Sequence, residues 1–462
     1  MQSKRCKLEI RYPQDFIQQM QTLLGEQSEF FFESLQHPVT TSVRLNPYKP
    51  TSHFILNTPI PWVSQGYTLA NRPAFIFDPL FHAGAYYVQE SSSMFLEHVL
   101  KTILPTRPSV KILDLCASPG GKSTLINSLL KPSDLLVSNE IIKSRVNVLE
   151  ENLIKWGQPN CVVTNNDPKD FSSLKNFFDV IVIDAPCSGE GLFRRDKTAM
   201  QEWSTQNVEL CTMRQRRIIA NALICLKPEG YLIYSTCTFN TSENEENVHW
   251  FIKEHELKSI EIPIENEWNI TPSMAADCYA YRFLPHKVTG EGFYITCLQK
   301  KNEFVDNKIW SYKRKYKLNK PQLEELNKWI TEPARFEYLQ VGEKIHAIPN
   351  ELIESVQHLQ HHLYLKNAGI LMGNFSRNDL LPEHQLALSN DLSHSVQRLE
   401  VSTNDAIRYL RKDNLSLETN LTGWTILTYQ QLALGWVKIL PNRVNNYLPS
   451  HLRILKEYTY SN

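Results

Sequence analysis

The segment FFDVIVIDAPCSGEGLF, residues 177–193, changes character in its middle. Its first half is an apolar, β-branched run that ends at Asp184, as is typical of a buried strand in a parallel sheet. Its second half holds Pro186, Cys187 and two glycines, which favour a loop. The segment therefore predicts a parallel strand whose end presents an acid and a thiol to a crevice.

Similar apolar runs occur between residues 110 and 240, separated by helical patterns at 144–156 and 213–226. Strands that alternate with helices indicate a doubly wound α/β domain, which binds ligands beyond the carboxyl ends of its strands. The predicted strands are VKILDL (110–115), DLLVSN (134–139), NCVVTN (160–165), DVIVID (179–184) and GYLIYST (230–236).

Length and composition indicate a multidomain globular protein. The 462 residues include 49 basic and 49 acidic side chains, so a nucleic acid would have to bind to local basic patches. The absence of a signal peptide and of a long apolar stretch favours a cytoplasmic protein without a membrane contact. Nine cysteines without a Cys-x-x-Cys pair predict neither a disulfide framework nor a metal site, and Cys161 and Cys225 fit buried packing roles.

Polar residues follow the first three predicted strands. The first is followed by DLCASPGGKST (114–124), which ends like a phosphate-binding P-loop but has Cys116 where that motif requires glycine. Small residues at a helix start instead allow the backbone to approach a nucleoside cofactor. Glu140 could then bind ribose hydroxyls and Asp167 the adenine edge, although a role in capping a turn is an equal alternative for each acid.

The fourth and fifth strand ends are predicted to bring Asp184, Cys187 and Cys237 into one crevice. For either cysteine alone, a buried packing role would be favoured. Two thiols in polar loops beside an acid instead favour a reactive site. The nearby Ser242 and Glu245 have the spacing of a capping box at the start of the next helix.

The three motifs together resemble those of the Sun/Nop-type RNA cytosine methyltransferases, which use S-adenosylmethionine to form 5-methylcytosine. The similar segments are DLCASPGGKST (114–124), DAPCSGEG (184–191) and YSTCTFNTSENE (234–245), in the order of the family's cofactor, Pro-Cys and Thr-Cys motifs. SVRLNP (42–47), AGAYYVQESSSM (83–94) and YRFLPHKVTGEGFYI (281–295) extend the resemblance. LGWVKILPNRVNNYLP (434–449) is similar to a PUA-like region in the bacterial branch that modifies small-subunit ribosomal RNA.

The resemblance implies an α/β fold with a Rossmann-like methyltransferase domain, a small N-terminal α/β domain and a C-terminal PUA-like α+β region. We expect an N-terminal RNA-binding module at 1–75, a catalytic domain at 76–300, a middle domain at 301–386 and a PUA-like domain at 387–462.

The resemblance also implies roles for individual residues. Cys237 would add to carbon 6 of cytosine, Cys187 would assist release of the product, and Asp184 would hold the base edge, with Lys122 nearby. DNA cytosine methyltransferases use the cysteine of a Pro-Cys motif as nucleophile, which would nominate Cys187 instead. The implied contacts to S-adenosylmethionine are Cys116, Ala117, Ser118, Pro119, Gly120, Gly121, Lys122, Glu140, Arg145, Asp167 and Asp184.

The implied partner is RNA, in particular small-subunit ribosomal RNA, and the target cytosine must be single-stranded or flipped out of a helix. Basic residues among aromatic ones favour RNA contact over a solvated face. The candidates are Arg194, Arg195, Lys313, Arg314, Lys315 and Lys317. We expect a monomer. An RNA-binding ribosome assembly factor with this fold and a P-loop phosphotransferase are the alternatives.

Overall fold

A computed structural model describes residues 12–52, 58–104, 109–273, 278–301 and 318–459. The chain forms two compact units. The thiol unit comprises the described residues of 1–40, 183–220 and 231–301, and the scaffold unit comprises those of 41–182, 221–230 and 302–462. The predicted RNA contacts Lys313, Arg314, Lys315 and Lys317 lie outside the described residues.

The secondary structure mixes strands with helices along the whole described chain. The strands are β1 (Thr41–Leu45), β2 (Thr58–Pro59), β3 (Gly66–Leu69), β4 (Tyr86–Val88), β5 (Lys111–Asp114), β6 (Leu135–Asn139), β7 (Cys161–Thr164), β8 (Phe178–Asp184), β9 (Leu226–Thr236), β10 (Lys258–Ile260), β11 (Thr271–Pro272), β12 (Ala280–Phe283), β13 (Phe293–Gln299), β14 (Phe336–Val341), β15 (Lys344–Pro349), β16 (Leu365–Ala368), β17 (Ile370–Ser376), β18 (Asp379–Pro382), β19 (Arg398–Glu400), β20 (Gly423–Tyr429), β21 (Leu432–Leu440) and β22 (Arg443–Asn446). The α-helices are α1 (Gln14–Leu24), α2 (Ser28–Ser34), α3 (Pro79–Ala83), α4 (Leu96–Ile103), α5 (Gly121–Leu129), α6 (Lys143–Trp156), α7 (Lys197–Glu202), α8 (Thr205–Cys225), α9 (Glu245–His255), α10 (Lys320–Asn327), α11 (Ile353–His362), α12 (His384–Leu388) and α13 (Thr403–Arg411).

The scaffold unit contains the parallel sheet that the sequence predicts. Its strands follow the order β16-β7-β6-β5-β8, and β5 pairs in parallel with both β6 and β8. The pairing of β6 with β7 is also parallel. Strands β6 and β7 are buried along their whole length, as expected where helices cover both faces of such a sheet. Cys161 and Cys225 are buried as expected, and the predicted α/β fold is confirmed.

One strand of this sheet comes from far along the chain. β16 pairs antiparallel with β7 at the edge of the sheet. The remaining C-terminal strands form two four-stranded sheets, β14-β15-β17-β18 and β19-β20-β21-β22. Trp436 of β21 is fully buried in a core with residues of the other sheet, such as Met372. The region after residue 318 thus contributes both its own core and an edge of the parallel sheet.

The thiol unit continues from the ends of β8 and β9 into an antiparallel sheet. The carboxyl-terminal half of β9 pairs with β13, which pairs in turn with β12. Helices α1 and α2 pack an aromatic cluster onto this unit, in which Phe16 contacts Phe193 edge to face with ring centroids 4.9 Å apart. Helix α8 begins at Thr205, earlier than the apolar periodicity from residue 213 predicts, because its first turns are largely exposed.

In the residues that the structure describes, no helix has the length and apolar character needed to cross a membrane.

Candidate active site

The two predicted reactive cysteines lie against each other in the thiol unit. Cys237 directly follows the end of β9, and Cys187 lies three residues beyond the end of β8. Their sulfur atoms are 3.0 Å apart, and both side chains are partly buried. The loops are further joined by the Gly191 N–H, which donates to the Cys237 carbonyl at 2.8 Å. The structure thus brings the two thiols together, as expected.

The close contact between the two thiols affects the pKa of Cys187. The hydrogen bond to Cys237 raises the pKa of Cys187 well above its usual value, and burial and the charges of Cys237 and Glu243 act in the same direction. Cys187 therefore keeps its proton and can donate it towards the Cys237 sulfur.

Asp184 lies at the end of β8 in the same unit. Its Oδ1 accepts a hydrogen bond of 2.9 Å from the Ser235 hydroxyl, and the Ala185 N–H donates to the Ser235 carbonyl at 2.8 Å. Ser235 lies two residues before Cys237. The ends of β8 and β9 are therefore fixed to each other at the carboxylate, next to the segment that carries the thiol.

The predicted capping box is wrong. Helix α9 begins at Glu245 with Asn244 as its N-cap, and no side chain caps it. The Ser242 hydroxyl instead contacts Glu246 at 3.3 Å, and Glu243 turns inwards and is fully buried. Sequence reasoning missed Glu243 because a Ser/Glu-rich turn usually faces solvent. Its only signal was its position inside the Thr-Cys motif.

The predicted cofactor loop lies in the scaffold unit, between β5 and α5. Gly120 has a φ of 111°, which a residue with a side chain rarely adopts, and Gly121 begins the helix. Arg145 fixes the loop, because its Nη2 donates to the Ser118 carbonyl at 2.9 Å and its carbonyl accepts from the Ser118 hydroxyl at 3.0 Å. The Asn152 amide donates to the Pro119 carbonyl at 2.8 Å.

The other residues of this loop differ in exposure. Ala117 is buried, and its N–H donates to the Asn139 carbonyl at 2.9 Å, whereas Cys116 is partly exposed. The charge of Lys122 acts to lower the pKa of Glu90, although burial raises that pKa overall. Lys122 thus lies within electrostatic reach of a buried carboxyl of its own unit.

The two acids after β6 and β7 both bind backbone N–H groups. Glu140 is buried and accepts from the Ile142 N–H at 2.9 Å, with Arg145 at 3.7 Å from its other oxygen. Asp167 accepts from the Lys169 N–H at 3.0 Å and forms a reciprocal cap with Asp170. Both acids therefore cap turns, which is the alternative role that the sequence left open. Both also lie at the carboxyl edge of the sheet.

Sequence reasoning did not assign a role to Arg44, which is fully buried beneath the cofactor loop. Its guanidinium donates to Thr124 at 2.6 Å and to the Gly121 carbonyl at 3.3 Å, and it lies 4.5 Å from the centre of the Trp156 ring. Arg44 thus supports the start of α5. Its presence in the motif-like segment SVRLNP was the available signal.

Arg194 and Arg195, which the sequence nominates for RNA contact, bind groups within the thiol unit. Arg194 donates to the carbonyls of Gly290, His37 and Pro38, and Arg195 pairs with the carboxylate of Glu291. The Arg195 side chain is nevertheless 56% exposed. RNA contact by these residues stays a prediction. Within the described ranges, no cluster of three or more metal-ligating side chains occurs.

Three models of known protein families match this chain. A family model for the 16S rRNA methyltransferase RsmB/F matches residues 101–299, a model for the N-terminal domain of RsmF matches 12–91, and a model for the RsmF PUA domain matches 396–454. The N-terminal, catalytic and PUA models follow one another along the chain and leave residues 300–395 unmatched. Residues 101–299 are thus a domain of the RsmB/F methyltransferase family.

Similar proteins extend over nearly the full chain. A ribosomal RNA small subunit methyltransferase F of Erwinia tasmaniensis is 29% identical over 96% of this chain and 97% of its own length. The protein of the same name from Vibrio parahaemolyticus is 27% identical over 96% of this chain and 98% of its own. The predicted family and the predicted methyltransferase activity are confirmed, so the P-loop phosphotransferase alternative is dropped.

Solved structures support the fold. A methyltransferase homologue from Pyrococcus horikoshii matches with a TM-score of 0.54 at 24% identity, over 63% of this chain and 95% of its own. NSun6 from Pyrococcus horikoshii, determined with SFG, matches with a TM-score of 0.53 at 22% identity, over 63% of this chain and 99% of its own. At these identities the match shows a shared fold.

Proposed function

We propose that this RsmB/F-family protein transfers a methyl group from S-adenosylmethionine to carbon 5 of a cytosine in small-subunit ribosomal RNA, through a covalent adduct. The observation that carries the proposal is the pair of thiols 3.0 Å apart at adjoining strand ends. Addition of a thiolate to carbon 6 makes carbon 5 nucleophilic, which divides a difficult substitution into easier steps.

We assign the addition to Cys237. Its sulfur forms the bond to carbon 6, and the electron pair of the 5,6 double bond moves towards carbon 5 and the N3–C4 system. Cys187 is the poorer candidate because its raised pKa keeps it protonated. Its S–H stabilises the negative charge on the neighbouring sulfur. The place of Cys237 in the Thr-Cys segment supports this arrangement over the DNA-type alternative.

We assign recognition of the base to Asp184, whose position beside Ser235 fixes a carboxylate for the N3 and N4 edge of cytosine. We assign release to Cys187. Once its own proton has passed to solvent, its thiolate can act as the base. It takes the proton from carbon 5, the 5,6 double bond forms again, and the bonding pair to carbon 6 returns to the Cys237 sulfur.

The scaffold unit offers a fitting place for S-adenosylmethionine, which supplies the methyl group when it is bound. The left-handed Gly120 and the start of α5 present backbone to a nucleoside cofactor, and buried Glu140 offers a carboxylate for ribose hydroxyls. We assign the adenine edge to Asp167, and further contacts to the 116–122 loop, Arg145 and Asp184. Arg145 acts by holding Ser118 in place.

We propose that the flanking regions bind the RNA: an N-terminal module within 1–75, a middle domain within 301–386 and a PUA-like domain within 387–462. The support is the match of RsmF N-terminal and PUA models to 12–91 and 396–454. We further propose that the protein acts as a monomer in the cytoplasm, with no metal and no membrane contact, and that Arg194 and Arg195 contact RNA beside the thiols.

The test uses wild type, Cys187→Ala and Cys237→Ala with small-subunit ribosomal RNA and radiolabelled S-adenosylmethionine. Methyl transfer and denaturant-resistant protein–RNA adducts are both measured. We expect Cys237→Ala to lose transfer and adduct, and Cys187→Ala to accumulate adduct because release is blocked.

Other outcomes identify the alternatives. Loss of the adduct in Cys187→Ala, with retention in Cys237→Ala, would establish the DNA-type arrangement. RNA binding by wild type without binding of S-adenosylmethionine would point to a ribosome assembly factor with a methyltransferase fold.

A further inference from the structure

Two buried glutamates lie beside the thiols, one in each thiol-bearing loop. Glu190 follows Cys187 by three residues, and Glu243 follows Cys237 by six. Both side chains have no exposed surface. In the part of the chain that the structure describes, neither carboxylate forms an ion pair, although isolated buried charges are costly. Neutral N–H groups bind them instead, and for each glutamate at least one of these comes from the opposite loop.

Glu243, from the Cys237 loop, binds both sides of Cys187. Its carboxylate accepts from the Ser188 N–H at 3.1 Å and from the Gln215 amide at 2.7 Å. The same amide nitrogen of Gln215 donates to the Pro186 carbonyl at 3.0 Å. The residues immediately before and after Cys187 are thus held by one carboxylate and the amide bound to it.

Glu190, from the Cys187 loop, binds the backbone after Cys237. Its Oε2 accepts from the N–H groups of Phe239 at 2.8 Å and Asn240 at 3.0 Å. Its Oε1 accepts from the indole of Trp203 at 3.1 Å and from the amide of Gln19 at 3.1 Å. Two N–H groups of one turn therefore converge on a single oxygen.

Asn240 joins the two carboxylates. Its side-chain amide lies 2.7 Å from Glu243 and 3.1 Å from Glu190, and its carbonyl oxygen accepts from the Glu243 N–H at 2.8 Å. Hydrogen bonds to charged acceptors are about twice as strong as neutral ones. The arrangement is reciprocal, because each loop supplies the carboxylate that fixes the other loop.

We propose that Glu190 and Glu243 are positioning residues of the methyl-transfer reaction, which hold Cys187 and Cys237 at the separation that the covalent chemistry requires. Glu243 sets the position of the Cys187 loop, and Glu190 sets that of the Cys237 loop. Neither carboxylate touches substrate. The inference rests on the proposed function for its kinetic consequence, whereas the fixed separation of the thiols is a property of the protein alone.

The first experiment measures the separation without catalysis. Phenylarsine oxide releases water as its arsenic forms bonds to two adjacent thiols, so tight binding requires two sulfurs within reach of one atom. Wild type should bind one equivalent of phenylarsine oxide tightly, whereas Cys187→Ala and Cys237→Ala should not bind it tightly. Glu190→Gln and Glu243→Gln turn an acceptor oxygen into an N–H₂ group facing N–H donors, so each should weaken binding about tenfold.

The second experiment measures kinetics with S-adenosylmethionine and small-subunit ribosomal RNA. Because displacement of a reacting group by about 1 Å costs about 100-fold, kcat should fall about 100-fold in both variants, with KM for each substrate within about twofold. Glu243→Gln should accumulate adduct, as expected for a displaced Cys187, whereas Glu190→Gln should form little adduct. The matched control is Glu246→Gln, which alters an exposed glutamate of the same turn and should behave as wild type.

Gln215→Met is a milder variant in case a buried amide prevents folding. It removes the link between Glu243 and the Pro186 carbonyl and leaves both carboxylates in place, so an intermediate loss in arsenical binding is expected. Thermal unfolding first shows whether the glutamate and Gln215 variants are folded. The proposal is overturned if the folded variants bind phenylarsine oxide with the affinity of wild type. Absence of methyl transfer by wild type would contradict the proposed function, and the arsenical result would still decide this proposal.

Discussion

Both units of this protein bury charged groups among neutral hydrogen-bonding partners, and one pair from each unit can be compared. The thiol unit buries the carboxylates of Glu190 and Glu243, whereas the scaffold unit buries the guanidinium of Arg44 and the ammonium of Lys49. In each place neutral hydrogen-bonding groups provide most of the contacts. The Lys49 Nζ donates to three carbonyls: Ala83 at 3.0 Å, Lys155 at 2.6 Å and Leu388 at 2.8 Å.

The difference lies in what the charges hold. Ala83 and Leu388 end helices α3 and α12, and Lys155 lies in the last turn of α6, so Lys49 joins three helix ends from distant parts of the chain. The carboxylates instead hold loops, and one of them also affects the proton of a neighbouring thiol. The same device thus joins helix ends in the scaffold unit and holds the two thiol-bearing loops in the other.

Lys49→Met should give the largest effect on stability. It leaves three carbonyls without their donor, so we expect the free energy of unfolding to fall by about 3 kcal/mol. Burial lowers the pKa of Lys49 to about 7, so denaturant unfolding is measured at pH 6, where the ammonium form dominates. The control is Lys143→Met, which changes an exposed lysine of the same unit and should leave the free energy of unfolding unchanged. Equal stability of the two variants would show that Lys49 does not join the helix ends.

Arg44→Met tests whether a scaffold cation also supports the cofactor loop. Loss of its bonds to Thr124 and Gly121 should lower the free energy of unfolding by about 2 kcal/mol. We also expect S-adenosylhomocysteine to bind about fivefold more weakly, a loss of about 1 kcal/mol in calorimetry. The variant Arg453→Met, at an exposed position of the same unit, should change neither quantity. Lower stability with unchanged binding would restrict Arg44 to a packing role.

In the thiol unit, the rate at which the methylated adduct breaks down should depend on pH. When Cys237 is bonded to the base, burial and the charge of Glu243 still act to raise the pKa of Cys187. Its basic form therefore becomes more abundant as pH rises, so breakdown of the methylated adduct should accelerate. Between pH 6 and 8 the rate should increase up to about tenfold per unit. In Cys187→Ala the slow breakdown should not depend on pH in this way. Decay of isolated adduct in the two proteins, followed by gel, provides the comparison, and parallel profiles would contradict the assignment of the base.

An exposed pair should give the smallest effect. Arg195 binds Glu291 from a largely exposed position, so Arg195→Gln should lower the free energy of unfolding by about 1 kcal/mol or less. If the residue also contacts a phosphate, the slope of log affinity for RNA against log salt should decrease by about 0.7 for a single strand. Titrations at several salt concentrations measure this slope. An unchanged slope would remove Arg195 from the RNA surface.

The sequence alone predicts the parallel sheet and the reactive residues of its edge. Asp184, Cys187 and Cys237 can be found because each follows an apolar run whose end is visible in the residues themselves. The family resemblance supplied the chemistry, since spacing alone left either cysteine as the nucleophile.

The supporting residues could not be found in this way. Glu190 lies among loop glycines and Glu243 in a Ser/Glu-rich turn, and local patterns place such acids in solvent. Their burial depends on partners 49 and 55 positions away, Phe239 and Ser188. The role of Lys49 could not be predicted for the same reason. The residues around it do not indicate that its side chain binds three carbonyls from distant parts of the chain.

The addition of β16 to the parallel sheet has a consequence for biosynthesis. β7 is complete at Thr164, but the strand that pairs with its outer edge begins only at Leu365. At about 5–20 residues per second, the ribosome needs about 10–40 s to supply it. During that interval the nascent chain carries an open strand edge, which can pair with another chain. The C-terminal region closes this edge of the sheet through β16.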